Sequence, residues 1–348
     1  MNAPTMTTVT PAQLLGALRA ARAANIPLMI EGSPGIGKTA LVRQFAADAG
    51  AECMIIYPPS LDPTDLGGLP VPVGGTRVKR LIDDRLLALC DATEPTVVLL
   101  DEFGQAPHAV QASCAPLLLA RELNGKPLSP HVYVCAATNR RTDRAGAHSV
   151  LSHLVSRVIT VGLTVAIEEW ADWAVTARLA SALVAFLRLR PTLLHVFDTA
   201  TADGNTMSAY PCPRAWERVS DVLAQNPAAD VLAAMVGGTV GEGAATECLA
   251  YLRTASKVRL ADFLDDPKGA KVPKSLEERY ALAVGLAYHT KAETADTILT
   301  VAERLLDIVP ELAALLTRDA FHVFPQLGGH AAWLKRANGR LQHVLVSA

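Results

Sequence analysis

Gly32-Ser33-Pro34-Gly35-Ile36-Gly37-Lys38-Thr39 is the stretch around which the chain is arranged. An apolar run, Ile26-Pro27-Leu28-Met29-Ile30, leads into it. Thr39-Ala40-Leu41-Val42-Arg43-Gln44-Phe45-Ala46, with helical periodicity, leads out. Strand, glycine-rich loop and helix in that order are the setting of a phosphate-binding loop. The glycines let the backbone curl until successive amides converge on one anion, and the following helix adds its positive end. Lys38 is placed to reach β- and γ-phosphates, and Thr39 offers its hydroxyl to Mg2+. The expected nucleotide-binding set is Gly32, Pro34, Gly35, Ile36, Gly37, Lys38, Thr39 and Ala40.

Further along, Thr96-Val97-Val98-Leu99-Leu100-Asp101-Glu102 is a continuous apolar run ending in two carboxylates. Such a run predicts a strand buried on both faces, and open α/β sheets bind ligands at the C-terminal ends of their strands. Asp101 can hold the magnesium through water, and Glu102 can take a proton from an attacking water. His131 to Asn139 reads as another strand, ending in polar Thr138 and Asn139. Cys53 to Tyr57 and Val158 to Val161 complete the set. The expected fold is α/β, with a five-stranded parallel sheet.

Two tight turns interrupt the strand–helix alternation. Val71 to Val78 reads as a hairpin with Gly74-Gly75 at its tip, and Pro72 keeps it at an edge. Arg77, Lys79 and Arg80 form a small positive cluster beside it. Glu122 to Leu128 reads as a second hairpin turning at Asn124-Gly125. Helices are expected from Pro11 to Ala24, where Thr10 and Gln13 can form a capping box, from Ile82 to Asp91, and from His108 to Arg121. Beyond Leu163 strand signals nearly vanish. Glu168 to Leu189 is helical, with Trp170 and Trp173 read as core. Ala200 to Tyr210 reads as a loop, and a helix enters through Pro211-Cys212-Pro213-Arg214. Further helices are expected at 229–236, 242–254, 275–288, 292–306 and 310–318.

Composition sets outer bounds. Half of the 348 residues are hydrophobic and only 5% are aromatic, so Ala, Leu and Val must fill the interior, which suits helices on a sheet. The formal net charge is -2, which withholds the usual electrostatic footprint of a nucleic-acid binder. Cysteines stand at 53, 90, 114, 135, 212 and 248 with no Cys-x-x-Cys pair, and read as buried thiols in a reducing compartment, not as a disulfide frame or zinc site. No signal pattern opens the chain and no apolar run is long enough to span a bilayer. A soluble cytoplasmic protein without membrane attachment is expected.

Taken together, Gly32 to Thr39, Leu100-Asp101-Glu102, Ala137-Thr138-Asn139, Arg157 and Pro213-Arg214 follow the order of an AAA+ ATPase. The two hairpins resemble the helix-2 insert and pre-sensor-1 hairpin of one AAA+ branch. Within that branch the chain is most similar to the MoxR-like ATPases, through "LDEFGQAPHAVQASCAPLLLARELNG", "CAATNRRTD" and "DPTDLGGLPVP". The resemblance covers roughly residues 10–225; the rest is more loosely similar to extended MoxR-like proteins of bacteria and their phages. It implies an α/β core over 1–163, a helical lid over 164–255 and a helical extension over 256–348. It also implies roles. Asn139 stands at sensor 1, Arg214 at sensor 2, and Arg157 where relatives insert an arginine finger into the neighbouring subunit. Val158 replaces the usual Phe there, and Arg140, Arg141 and Arg144 are neighbouring candidates for the finger.

The resemblance implies ATP and Mg2+ as cofactors, a homo-oligomeric ring, in the form of a hexamer, and a client protein as the object of the work. A partner with a von Willebrand factor A domain is expected as adaptor. That domain's Asp-x-Ser-x-Ser motif is not in this chain. The competing class is an ATP-driven nucleic-acid motor or loader, for which Arg77, Lys79 and Arg80 could contact phosphates.

Overall fold

The structure, a computed structural model, describes residues 7–140, 143, 150–197, 209–336, 339 and 341. The chain forms two compact units, one built on residues 1–165 and the other on 166–196 with 208–348.

The first unit opens with β1 (Thr8–Val9), α1 (Pro11–Ala24), β2 (Leu28–Glu31) and α2 (Lys38–Asp48). It continues with β3 (Glu52–Ile56), α3 (Pro63–Gly67), the hairpin β4 (Leu69–Val73) and β5 (Arg77–Leu81), and α4 (Asp84–Ala88). Then come β6 (Thr96–Leu100), α5 (His108–Ala115), the hairpin β7 (Glu122–Leu123) and β8 (Lys126–Pro127), β9 (Val132–Thr138), α6 (Ser152–Val155) and β10 (Ile159–Leu163). The sheet order is β1-β10-β2-β9-β6-β3, with every pair parallel. The sheet therefore has six strands where the sequence predicts five. The extra one is β1, two residues long, too short for any alternation to register, and defined only by pairing Thr8 with Gly162 and Val9 with Leu163.

Period-two alternation sorts the strands onto two apolar faces. Leu28, Ile30, Val97, Leu99, Tyr133 and Cys135 face α1 and α2, where Leu14, Leu18, Val42 and Phe45 are buried. Met29, Val98, Leu100, Val134 and Ala136 face the other way, against Val110 and Cys114 of α5. Because β6 and β9 are buried on both faces, they read as unbroken apolar runs.

The predicted capping box is present: Thr10 Oγ1 accepts from Gln13 N, and Gln13 Oε1 accepts from Thr10 N at 3.0 Å. Both hairpins form. Asn124 and Gly125 have φ of 51° and 81°, and Gly74 and Gly75 have 62° and 75°, the left-handed values such tight turns need. The helix expected from His108 to Arg121 stops being α-helical at Ala115 and continues as a π turn over Pro116–Ala120. Pro116 has no N–H for the i−4 bond, and the wider turn accommodates that loss.

The second unit is helical: α7 (Ile167–Thr176), α8 (Ser181–Leu189), α9 (Pro213–Ala224), α10 (Ala229–Val240), α11 (Glu242–Ala255) and α12 (Leu260–Asp265), then α13 (Leu276–Ala287), α14 (Ala295–Leu306), α15 (Pro310–Val323) and α16 (Ala331–Leu334). The single helix predicted over 168–189 is two, broken near Arg178, whose φ is 59°. Trp170 is core as expected, but Trp173 is 41% exposed and is not. Most of the loop predicted over 200–210 lies outside the described residues. Phe186 packs against Trp216 and Tyr251, with ring centroids 5.8 and 5.6 Å apart. The helices on either side of residue 255 pack on one another, α11 on α13 and α8 on α13.

One buried ion pair staples this unit. Arg188 of α8 holds Asp319 of α15 through both guanidinium ends, Nη2 to Oδ1 at 2.9 Å, with side-chain exposures of 2% and 0%. Arg188 also reaches Asp172 Oδ1 at 3.4 Å, but Asp319 has no other ion pair among the described residues, so removing Arg188 leaves its carboxylate buried and unpaired, a loss worth about 3–5 kcal/mol. Arg188→Met is expected to lower unfolding stability by that amount in urea titration. Arg188→Met combined with Asp319→Leu should recover most of it, because no buried charge is then left unpaired.

Candidate functional site

The sheet order brings together the C-terminal ends of β2, β9 and β6, and the expected residues sit there. Glu31 pairs in register with Thr138, and Leu100 with Ala136, so the loops beginning at Gly32, Asn139 and Asp101 are neighbours. Gly35 and Gly37 have φ of 78° and 101°, and α2 begins at Lys38. At Gly32 an added Cβ would lie 2.6 Å from Ile36 Cδ1 and 3.3 Å from Leu163 O, so a larger residue would require the isoleucine side chain to shift.

Lys38 is buried. Its Nζ donates to Gly32 O at 2.6 Å, Ser33 O at 3.1 Å and Asn139 Oδ1 at 2.7 Å. Thr39 Oγ1 donates to Asp101 Oδ2 at 2.6 Å, and the other carboxylate oxygen accepts from Glu102 N at 3.0 Å. Lys38 with Asn139 and Thr39 with Asp101, read from three separate stretches of sequence, thus form two hydrogen-bonded pairs joined at the adjacent residues 38 and 39. Glu102 follows directly, exposed and with φ of 56°.

These residues fit a magnesium nucleotide. The ammonium of Lys38 already sits among oxygen acceptors, which is the company phosphate oxygens provide. A hydroxyl and a carboxylate 2.6 Å apart are hard oxygen donors, and Mg2+ takes one or two such protein groups while keeping waters and phosphate oxygens. Among the described residues no three His, Cys, Asp or Glu side chains gather as a metal cluster, and magnesium of this kind requires none.

Sequence reading missed several groups around this site. Thr138 Oγ1 accepts from Gly104 N at 3.2 Å and donates to Asn139 O, tying the segment after β6 to the end of β9. Glu31 closes an otherwise apolar strand, and burial pushes its carboxyl above the usual range. Arg140 and Lys38 pull against that shift, and Asp143 adds to it. Asp143 is itself buried, with Oδ2 lacking a hydrogen-bond partner. Arg140 donates to Leu163 O at 3.3 Å, which engages one of the four candidate finger arginines within its own core. The sole signal for Glu31 in the sequence is a charge at the end of an apolar run.

Arg157 is exposed just after α6, and among the described residues no ion pair holds its side chain. Arg141 and Arg144 lie outside the described residues. Arg214 is exposed in the first turn of α9, in the second unit. The six cysteines are free; Cys114, Cys135, Cys212 and Cys248 are buried, and Cys53 and Cys90 half-buried.

Residues 28–163 match the family model described as "ATPase family associated with various cellular activities (AAA)". They carry an AAA ATPase domain with the α/β P-loop fold. No curated protein matches the chain. Among solved structures, the chain is similar to the RuvB Holliday junction branch migration motor of Thermotoga maritima, at 17% identity over 79% of this chain and 80% of that one, with a TM-score of 0.37. It is likewise similar to NtrX from Brucella abortus, at 15% identity over 81% and 69%, with a TM-score of 0.38. Among the described residues, no helix is long and apolar enough to cross a membrane.

Proposed function

We propose that this chain is a MoxR-like ATPase that hydrolyses ATP with Mg2+ in a homo-oligomeric ring, a hexamer, and uses the energy to remodel a client protein. A partner bearing a von Willebrand factor A domain is the proposed adaptor. The observation that carries the ATPase reading is the two adjacent hydrogen-bonded pairs, Lys38 with Asn139 and Thr39 with Asp101, at adjoining strand ends. The MoxR-like part rests on the phrases around Asp101 and Asn139 and on the two hairpins.

The residues divide the work. Lys38 binds the β- and γ-phosphates, and the amides of the 32–40 loop orient them. Thr39 and Asp101 would hold magnesium, which when bound neutralises charge on those phosphates. Glu102 takes the proton of the attacking water, and Asn139 orients that water. Arg157 serves the neighbouring protomer, and Arg214 senses the phosphate from the lid. The proposed working parts are the core 1–163, the lid 164–255 and the extension 256–348.

Lys38→Ala tests the reading at its root. The variant loses the cation that offsets phosphate charge, and ATP affinity should collapse in calorimetry while the melting profile survives. Equal binding by wild type and variant would remove the loop from the nucleotide site. A second reading, the nucleic-acid motor, is favoured by one feature: Lys257, Arg259, Lys271 and Lys274 line a single groove in the helical unit, outnumbering its two carboxylates, Asp262, which pairs with Arg259, and Glu278. ATPase assayed with and without DNA separates the two, since a motor is stimulated by its track.

A further inference from the structure

The hairpin of β4 and β5 is a two-stranded sheet of its own. Every residue of β5 is exposed, and Leu69, Val73, Val78 and Leu81 are each about half or more exposed, at 56, 49, 66 and 52%. Its two outer edges differ. The register pairs Val73 with Arg77, Pro72 with Val78, Val71 with Lys79, Pro70 with Arg80 and Leu69 with Leu81. In an antiparallel ladder, pairs that exchange hydrogen bonds alternate with pairs that do not. Proline has no N–H to exchange, so Pro70 and Pro72 occupy the second kind of position. The backbone groups of such residues face away from the partner strand. The outer edge of β4 is therefore stripped of donors at 70 and 72 and closed to a further strand. The outer edge of β5 presents the N–H and C=O of Val78 and Arg80. Among the described residues, no hydrogen bond joins these main-chain groups to another element.

The side chains sort in the same way. Arg80 is not free: its guanidinium donates to Gly67 O at 3.1 Å and Gly68 O at 3.2 Å and fastens the root of the hairpin. The positive cluster read from the sequence thus shrinks to Arg77 and Lys79, two residues apart on one face, with Val78 on the other. Among the described residues neither cation has an ion-pair partner. Like charges opposed across a ladder are destabilising, so a second copy's β5 is repelled from this edge. Carboxylates are the complement.

We propose that the outer edge of β5 receives an extended segment of a client protein by strand addition, with acidic side chains facing Arg77 and Lys79 and an apolar one beside Val78. Main-chain hydrogen bonds supply the affinity and the alternating side chains the selectivity. This rests on the client-remodelling reading and gives it a partner chemistry.

The test uses the full chain, fluorescence anisotropy and two fluorescein-labelled ten-residue peptides, one alternating Val and Glu and the other Val and Lys. Wild type should bind the Val-Glu peptide and discriminate against Val-Lys. Val78→Pro removes an outward N–H that the β4–β5 ladder does not use. It should weaken Val-Glu binding about tenfold, the effect of one or two main-chain hydrogen bonds, with basal ATPase within twofold. Arg77→Glu with Lys79→Glu leaves the backbone edge intact and should invert the peptide preference, which keeps the test valid if proline perturbs the hairpin. Failure of wild type to bind Val-Glu, equal binding of both peptides, or a charge-reversed variant with unchanged preference overturns the proposal. Binding that responds to these variants but never alters ATP turnover keeps the strand addition and discards the remodelling reading.

Discussion

Glu102→Gln is expected to slow ATP turnover by about a hundred- to ten-thousand-fold while ATP stays bound, because an amide keeps the shape of the side chain but takes no proton. The surroundings make this substitution clean. Asp101 accepts from the main-chain N–H of residue 102, a bond that glutamine preserves, so the Asp101 carboxylate keeps its orientation. The left-handed backbone at residue 102 costs glutamine no more than glutamate. Phosphate release measured beside nucleotide retention should show the two properties parting, with assemblies more persistent in ATP. Hydrolysis at the wild-type rate would assign the base to another residue.

Arg157→Ala should abolish turnover, with a loss on the order of a thousand-fold or more, and leave ATP binding by the isolated protomer nearly unchanged. A finger stabilises transferring charge only across an assembled interface. The residue is exposed and without an ion pair among the described residues, so its removal leaves no buried charge behind. Mixing subunits provides the decisive measurement. A Lys38→Ala protomer has no working loop but keeps its Arg157, and can serve the intact loop of an Arg157→Ala neighbour. Mixtures should regain activity that neither variant has alone. If mixed oligomers form and remain inactive, the finger lies elsewhere, with Arg140, Arg141 and Arg144 the next to replace.

The fold of the first unit was legible because its central strands are buried on both faces. Burial of that kind writes itself as Val97-Val98-Leu99-Leu100, and the polar residues that end such runs mark the ligand side. Asp101 could be named for that reason, Lys38 and Thr39 from the glycine-rich loop before them, and Asn139 through the resemblance to a known family. What escaped reading depends on partners far away in sequence. β1 exists only through its bonds to β10. Arg80 looks like one more surface cation until its bonds to Gly67 and Gly68 are seen. Trp173 has the helical spacing of a core residue but lies on the solvent side of α7. The Arg188–Asp319 pair joins residues 131 apart, and nothing local to either announces the other.

The two-residue strand β1 bears on how the protein can be handled. Among the described residues it is the only strand paired to the outer side of β10, and it pairs with just Gly162 and Leu163 of that strand's five residues. A very short edge strand offers few amides to a stray chain, which is one way sheets avoid sticking to one another. A chain trimmed to begin at Pro11 would lose that cover, together with the Thr10 cap of α1, and would bare the whole flank of β10 to unwanted pairing. Affinity tags therefore belong ahead of Thr8 on a spacer that lets residues 8 and 9 dock, and protease sites meant to remove them should leave those two residues in place.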